Sequence, residues 1–347
     1  MKRKLGPPLF FIAGITAWVI GAYAFADRGQ DGLSQITSAM KAQYARPNSI
    51  PFPKDNPYSE AKAQLGKTLF FETRLSRSKV MSCATCHNPG FGWTDGNPRG
   101  VGDYHKILPR KGPTLLNLAW DELFFWDGRA EGLEKQALGP MQGKDEMHMP
   151  LSQQVDDLKA IHEYLPLFKA AFPDDGDPIN PENIAKAFAT YERTIVSGEA
   201  PFDRWVKGDE KAISLEAKRG FLLFNTKTNC AACHSGWRFS DGSFHDIGLN
   251  DKDIGRGEWL SLTSMQHAFK TMGLRNIDRR APYMHNGSMA TLMDVVDHYD
   301  HGFVKRESLA DDIKPLHLSL QEKLDLIEFL KTLTSKDASI AIPDMPK

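Results

Sequence analysis

Cysteine is scarce, with four in 347 residues, and none stands alone: all four fall in two Cys-x-x-Cys-His units, Cys83-Ala-Thr-Cys86-His87 and Cys230-Ala-Ala-Cys233-His234. That grouping leaves no cysteine over for a disulfide framework. An excess of either charge is lacking too. The 43 Lys and Arg stand against 44 Asp and Glu for a formal net charge of -1, so nothing signals a nucleic-acid partner. After residue 26 no apolar run approaches the about 20 residues of a membrane span. Alternating apolar and polar runs of strand length are also missing, which argues against an extensive sheet.

The N-terminus is the one long apolar stretch. Met1-Lys-Arg-Lys4 precedes the almost wholly apolar Leu9 to Phe25, and Ala22-Tyr-Ala24 and Ala24-Phe-Ala26 are small-residue cleavage sites. Residues 1–26 are expected to be an export signal, or else a retained membrane anchor. Either way the body of the chain is expected in the periplasm, with membrane contact only through a retained anchor.

Cys-x-x-Cys-His has a specific chemical meaning. Two thiols at that spacing meet the two vinyl groups of one porphyrin, and the next residue delivers an imidazole to the iron. Two matches that consume every cysteine point to two covalently bound haem c groups, held by Cys83, Cys86, Cys230 and Cys233. His87 and His234 are then the iron ligands. Zinc would need four ligands per closed site, and each unit offers three. An iron with an open second face can bind peroxide or oxygen, whereas one with two protein ligands only passes electrons.

The surroundings of the two units repeat. Leu65-Gly-Lys-Thr-Leu-Phe-Phe71 precedes the first and Arg219-Gly-Phe-Leu-Leu-Phe224 precedes the second. Helical periodicity over Ile184 to Val196, broken by Ser197-Gly-Glu-Ala-Pro201, predicts that the first domain ends near Lys207. Leu320, Leu324, Ile327 and Leu330 predict a helix over 320–333 whose apolar face closes the second core. The expected fold is mainly α: two tandem cytochrome c-like haem domains, 27–207 and 208–347, with long loops.

From about Ala61 to Thr334 the chain resembles the bacterial di-haem cytochrome c peroxidase and MauG family. Besides the two attachment units, the matching motifs are Pro113-Thr-Leu-Leu-Asn117, Phe125-Trp-Asp-Gly-Arg129, Gly139-Pro140, Pro201-Phe-Asp203 and Ala281-Pro-Tyr-Met-His-Asn-Gly287. The resemblance implies a peroxide-reactive first haem and an electron-transfer second haem. It also implies that Trp126 bridges the two, and that Gln136 and Glu146 flank the distal face of the His87 haem. A carboxylate there moves a proton from the inner to the outer peroxide oxygen.

The family divides at the second haem, with methionine in donor-dependent peroxidases and tyrosine in MauG-type enzymes, and here the ligand position falls on Tyr299. At 100° per residue, Leu292, Val295, Val296 and Tyr299 share one helical face. His298, Met293 and a plain core role for the tyrosine remain as alternatives. The implied activity is hydrogen peroxide-driven oxidation of a periplasmic protein substrate through a high-valent di-haem state. The rivals are peroxide reduction with electrons from a small cytochrome or cupredoxin, and non-catalytic electron transfer.

Several positions depart from the family pattern or qualify it. Asp103 stands where donor-dependent peroxidases carry a distal histidine, with His105 two residues on. Lys111 replaces an asparagine that helps bind calcium between the domains, which leaves calcium open, with carbonyls near Arg280 and Pro282 as remaining donors. Thr228 stands where MauG has a surface tryptophan. His285 and Arg275 are expected to organise the second haem pocket, Arg275 through a propionate.

Overall fold

The computed structural model describes residues 32–337 and 339–347, so the expected export signal at 1–26 lies outside the described residues. The helices are α1 (Ser38–Ala42), α2 (Glu60–Phe70), α3 (Cys83–Cys86), α4 (Leu133–Gln142), α5 (Leu151–Lys159), α6 (Tyr164–Ala171), α7 (Pro181–Thr194), α8 (Pro201–Val206), α9 (Leu215–Asn225), α10 (Leu292–Asp297) and α11 (Leu320–Lys331). Two antiparallel ladders of two-residue strands, β1 (Leu123–Phe124) with β2 (Ala130–Glu131) and β3 (Phe244–His245) with β4 (Phe269–Lys270), complete it. The chain is mainly α, with long irregular loops.

The repeat seen in the sequence is a repeat of packing. Ser59 and Ser214 cap α2 and α9, each hydroxyl accepting the backbone N–H of the residue three on (3.2 and 3.1 Å). Gly66 of α2 and Gly220 of α9 are crossing points. A Cβ on Gly66 would lie 2.0 Å from the Ala187 carbonyl oxygen of α7, and one on Gly220 would lie 1.9 Å from that of Asp325 in α11. Only glycine lets each pair of backbones approach so closely.

Around these crossings lie two cores. Leu65, Leu69 and Phe70 of α2 pack with Ala187, Phe188 and Tyr191 of α7, joined by Leu158 of α5 and Phe168 of α6. Phe221 and Phe224 of α9 pack with Leu326, Phe329 and Leu330 of α11 and with Phe239. Each such fully buried side chain contributes about 1.5–3 kcal/mol.

Two expectations need correction. The buried face of α11 is formed by Leu326, Ile327, Phe329 and Leu330, while Leu320 and Leu324 are 67% and 42% exposed. The α9 crossing at Asp325 selects that face. The packing units also do not divide at 207: Phe202 and Trp205 of α8, together with Tyr44, belong to the second core.

The repeat continues toward the middle of the molecule. Asn117 (φ 65°) and Asn276 (φ 57°) are both left-handed, and each side-chain oxygen accepts the backbone N–H of a serine, Ser197 and Ser335. Phe125 (φ 67°) matches Met284 (φ 73°), and Gly128 (φ 67°) matches Gly287 (φ 64°). Trp126 and His285 are therefore equivalent positions in the two copies.

Candidate functional site

Each Cys-x-x-Cys-His unit opens onto a cavity. The first is walled by Cys83, Cys86 and His87 with Trp126, Gln136, Glu146 and Glu192, and the second by Cys230, Cys233 and His234 with Arg280, Val296 and Tyr299. Their empty volumes, mouths included, are about 2920 and 1660 Å³, above the range for small ligands. Trp126, His285, Lys111 and Lys270 line both and form the wall between them.

The two histidines are set identically. His87 Nδ1 lies 3.3 Å from the Trp93 carbonyl oxygen and His234 Nδ1 lies 2.8 Å from that of Phe239, which orients each ring. Burial pushes both imidazoles below the ordinary histidine value, keeping them neutral and able to ligate iron. Burial acts the other way on the thiols, pushing Cys86 up to about 12 and Cys230 up to about 11. The Cys-x-x-Cys-His spacing on each cavity wall suits thioether attachment to a porphyrin.

On the first cavity wall, Glu146 and Gln136 come together with no histidine but His87 and His285 among the described residues. His105 is exposed, and Asp103 is buried but bound by the backbone N–H groups of Ser78 and Tyr104. Asp103 donates its own N–H to the Glu146 carbonyl at 2.8 Å, so it shapes the loop that carries Glu146. Burial, reinforced by Asp145 and opposed by Arg129, raises the Glu146 carboxyl above the usual range and favours its protonated form. Met141 and Met147 fill the wall beneath it.

Glu192, on α7, is a site residue not singled out from the sequence. It is buried on the first cavity wall with one carboxyl oxygen unpartnered, and burial pushes it up to about 8. The signal was present: it follows Phe188 by four residues on the apolar face of its helix.

On the second cavity wall the tyrosine stands apart from its rivals. Tyr299 lines the cavity with Leu292, Val295 and Val296, and its hydroxyl bonds no described residue. His298 is turned away, 2.9 Å from the Ile247 carbonyl oxygen, and Met293 packs in the second core. The regular helix assumed from the sequence stops at Asp297. A π-turn over His298–Gly302 follows, held by Lys323 against Asp297 and Asp300. Burial raises the Tyr299 phenol, so an adjacent cation is needed to draw off its proton.

Arg275 does not reach either wall. Its guanidinium donates to Asp203 Oδ1 and to the Trp237 carbonyl, both at 2.7 Å, and leaves Nη2 buried without a partner. Arg280 is on the second cavity wall instead, buried, with Nε lacking a partner. That orphaned donor fits a haem propionate. Thr228 is buried on the same wall.

Trp126 donates its Nε1–H to the Lys111 carbonyl at 2.8 Å, and its ring lies 6.2 Å from that of His285. His285 in turn stacks on Phe269 at 3.5 Å and sets Nε2 2.8 Å from Asp251. An aromatic partition thus separates two cavities equipped to hold haem.

Comparison with known proteins agrees with this geometry. A family model described as di-haem cytochrome c peroxidase matches residues 60–211. Methylamine utilization protein MauG of Methylorubrum extorquens is 49% identical over 345 residues, covering 96% of this chain and 98% of its own. Cytochrome c551 peroxidase of Pseudomonas aeruginosa is 35% identical over 309 residues, covering 86% of each. The crystal structure of a MauG-like protein associated with microbial copper homeostasis superposes with a TM-score of 0.79 at 31% identity, covering 84% of this chain and 95% of that one. With two cavities built for covalently attached c-type haem and these relatives along nearly its whole length, the chain belongs to the MauG-type di-haem cytochrome c peroxidases, a family of haem oxidoreductases.

Proposed function

We propose that the chain is an exported, periplasmic enzyme that uses hydrogen peroxide to oxidise side chains of a partner protein, as its resemblance to MauG-type enzymes, two of them 49% identical, implies. The observation that carries this reading is Tyr299, which lines the second cavity while its helical neighbours His298 and Met293 are engaged elsewhere. When bound, the haems supply peroxide activation and storage of oxidising equivalents.

The chain's own groups do the rest. Glu146, whose carboxyl has a raised proton affinity, is placed to carry a proton from the inner to the leaving outer peroxide oxygen, while the Gln136 amide orients the oxidant. Trp126, fixed by the Lys111 carbonyl, is an aromatic link across the wall. Tyr299 would hold the second haem iron through its phenol oxygen, and an anionic oxygen there would favour ferric and higher oxidation states over acceptance of electrons from ordinary cytochromes. Arg280 offers its guanidinium to a propionate.

The relation to cytochrome c551 peroxidase favours a second reading, peroxide reduction to water with electrons from a small cytochrome or cupredoxin. Steady-state peroxide consumption with a reduced cytochrome as donor separates the two. Slow turnover is expected; rapid turnover would establish the second reading.

Among the described residues no helix is long and apolar enough to cross a membrane. The periplasmic placement rests on the basic and apolar N-terminal sequence.

A further inference from the structure

Two lysines hold the wall between the cavities. Lys111 and Lys270 sit six residues before Asn117 and Asn276, so they are equivalent in the two copies, and they are 5% and 6% exposed. The Lys111 N–H crosses to the His285 carbonyl at 2.7 Å and the Lys270 N–H crosses to the Trp126 carbonyl at 2.8 Å. Each ammonium meets a carbonyl and a carboxylate. Lys111 Nζ donates to the Asn97 carbonyl at 2.9 Å and lies 3.9 Å from Asp95. Lys270 Nζ donates to the Leu123 carbonyl at 2.6 Å and lies 2.9 Å from Asp121. The loop carrying Asp95 and Asn97 presses on the second copy, where a Cβ on Gly287 would stand 2.2 Å from the Pro98 carbonyl oxygen.

This arrangement does not fit calcium. Ca²⁺ takes about six to eight oxygens at about 2.3–2.6 Å, and the Lys111 side chain brings no oxygen and a positive charge. The buried Arg280 guanidinium adds a second repulsion. The oxygens nearest the Lys111 side chain, from Asn97 and Asp95, already face its ammonium, and carbonyls near Arg280 and Pro282 alone are too few for that shell.

We infer that the Lys111 ammonium, with Lys270 as its counterpart, is the resident cation of the wall, so that this chain fixes Trp126 and His285 without the calcium its family binds. Lys111 is thus a positioning residue: its carbonyl receives the Trp126 indole while its ammonium anchors the loop behind it. This role is independent of which reductant the enzyme uses.

The purified two-haem protein is to be analysed for bound calcium, then melted in EGTA and in excess calcium. The expected result is no stoichiometric calcium, with one melting midpoint and one haem spectrum in both conditions. One tightly held calcium per chain, whose removal lowers the midpoint or changes the spectrum, overturns the assignment whatever any variant does. Lys111→Met keeps the stem and removes the charge. It is expected to melt several degrees lower and to lower both haem reduction potentials, because a positive charge that favours the reduced state is gone. Potentials equal to wild type would show that the ammonium is not acting as a cation at the wall, and would overturn it equally.

Discussion

Glu192 places an acid where water cannot reach one of its oxygens. Its folded value of about 8 exceeds the ordinary 4.5 because burial disfavours the charge, so the folded chain binds that proton more tightly than the unfolded chain. The resulting stability is full below 4.5 and is lost as pH rises through about 8. Glu192→Gln, which keeps the shape and cannot ionise, should therefore flatten the fall in melting midpoint between pH 5 and 8, by an amount of order a few kcal/mol. Parallel curves for the two proteins would mean that the carboxyl titrates normally. Glu146 makes a kinetic prediction. Glu146→Gln should slow the reaction with peroxide by about 10²–10⁴-fold in stopped-flow spectra, and an unchanged rate would remove it from proton transfer.

The haem-attaching cysteines and histidines were legible because covalent chemistry fixes their spacing. Arg280 and Lys270 were not. Their roles depend on carbonyls and cavities assembled from distant segments, and a lone Arg or Lys in sequence reads as surface.

At the scale of elements, the strongest local demand is at the two helix crossings. Gly66→Ala or Gly220→Ala would drive a methyl group into the carbonyl of Ala187 or Asp325. Each should cost about 1–3 kcal/mol or more in thermal or urea unfolding, despite alanine's better helix propensity. A stabilised variant would show that the helices separate at no cost. Periodicity foretold a helix at 320–333 and placed Ile327 and Leu330 on its buried face, but it also put Leu320 and Leu324 there, where Leu326 and Phe329 pack instead against α9. The Tyr299 segment shows the converse. Its π-turn was invisible in the residue spacing, yet Tyr299 shares the cavity with Leu292, Val295 and Val296 as the helical reading required.

For the whole molecule, duplication explains both the likeness of the halves and their difference. The same cap, glycine crossing, left-handed asparagine and crossing lysine occur twice, and the two copies meet with Trp126 facing His285. The tandem was legible from the paired motifs. The place where the packing divides was not, because Tyr44 and α8 join the second core from the N-terminal side of the expected boundary.

Function rests on what each copy then sets before its iron site: Glu146 and Gln136, with His285 the one histidine besides His87 lining that cavity among the described residues, in one, and Tyr299 in the other. Quantitative electron paramagnetic resonance of the resting ferric protein tests this asymmetry most directly, with wild type measured beside Tyr299→Phe. Equal amounts of one high-spin and one low-spin haem are expected, with the low-spin signal lost or replaced on substitution. Two low-spin signals in wild type, or a low-spin signal untouched by Tyr299→Phe, would contradict it.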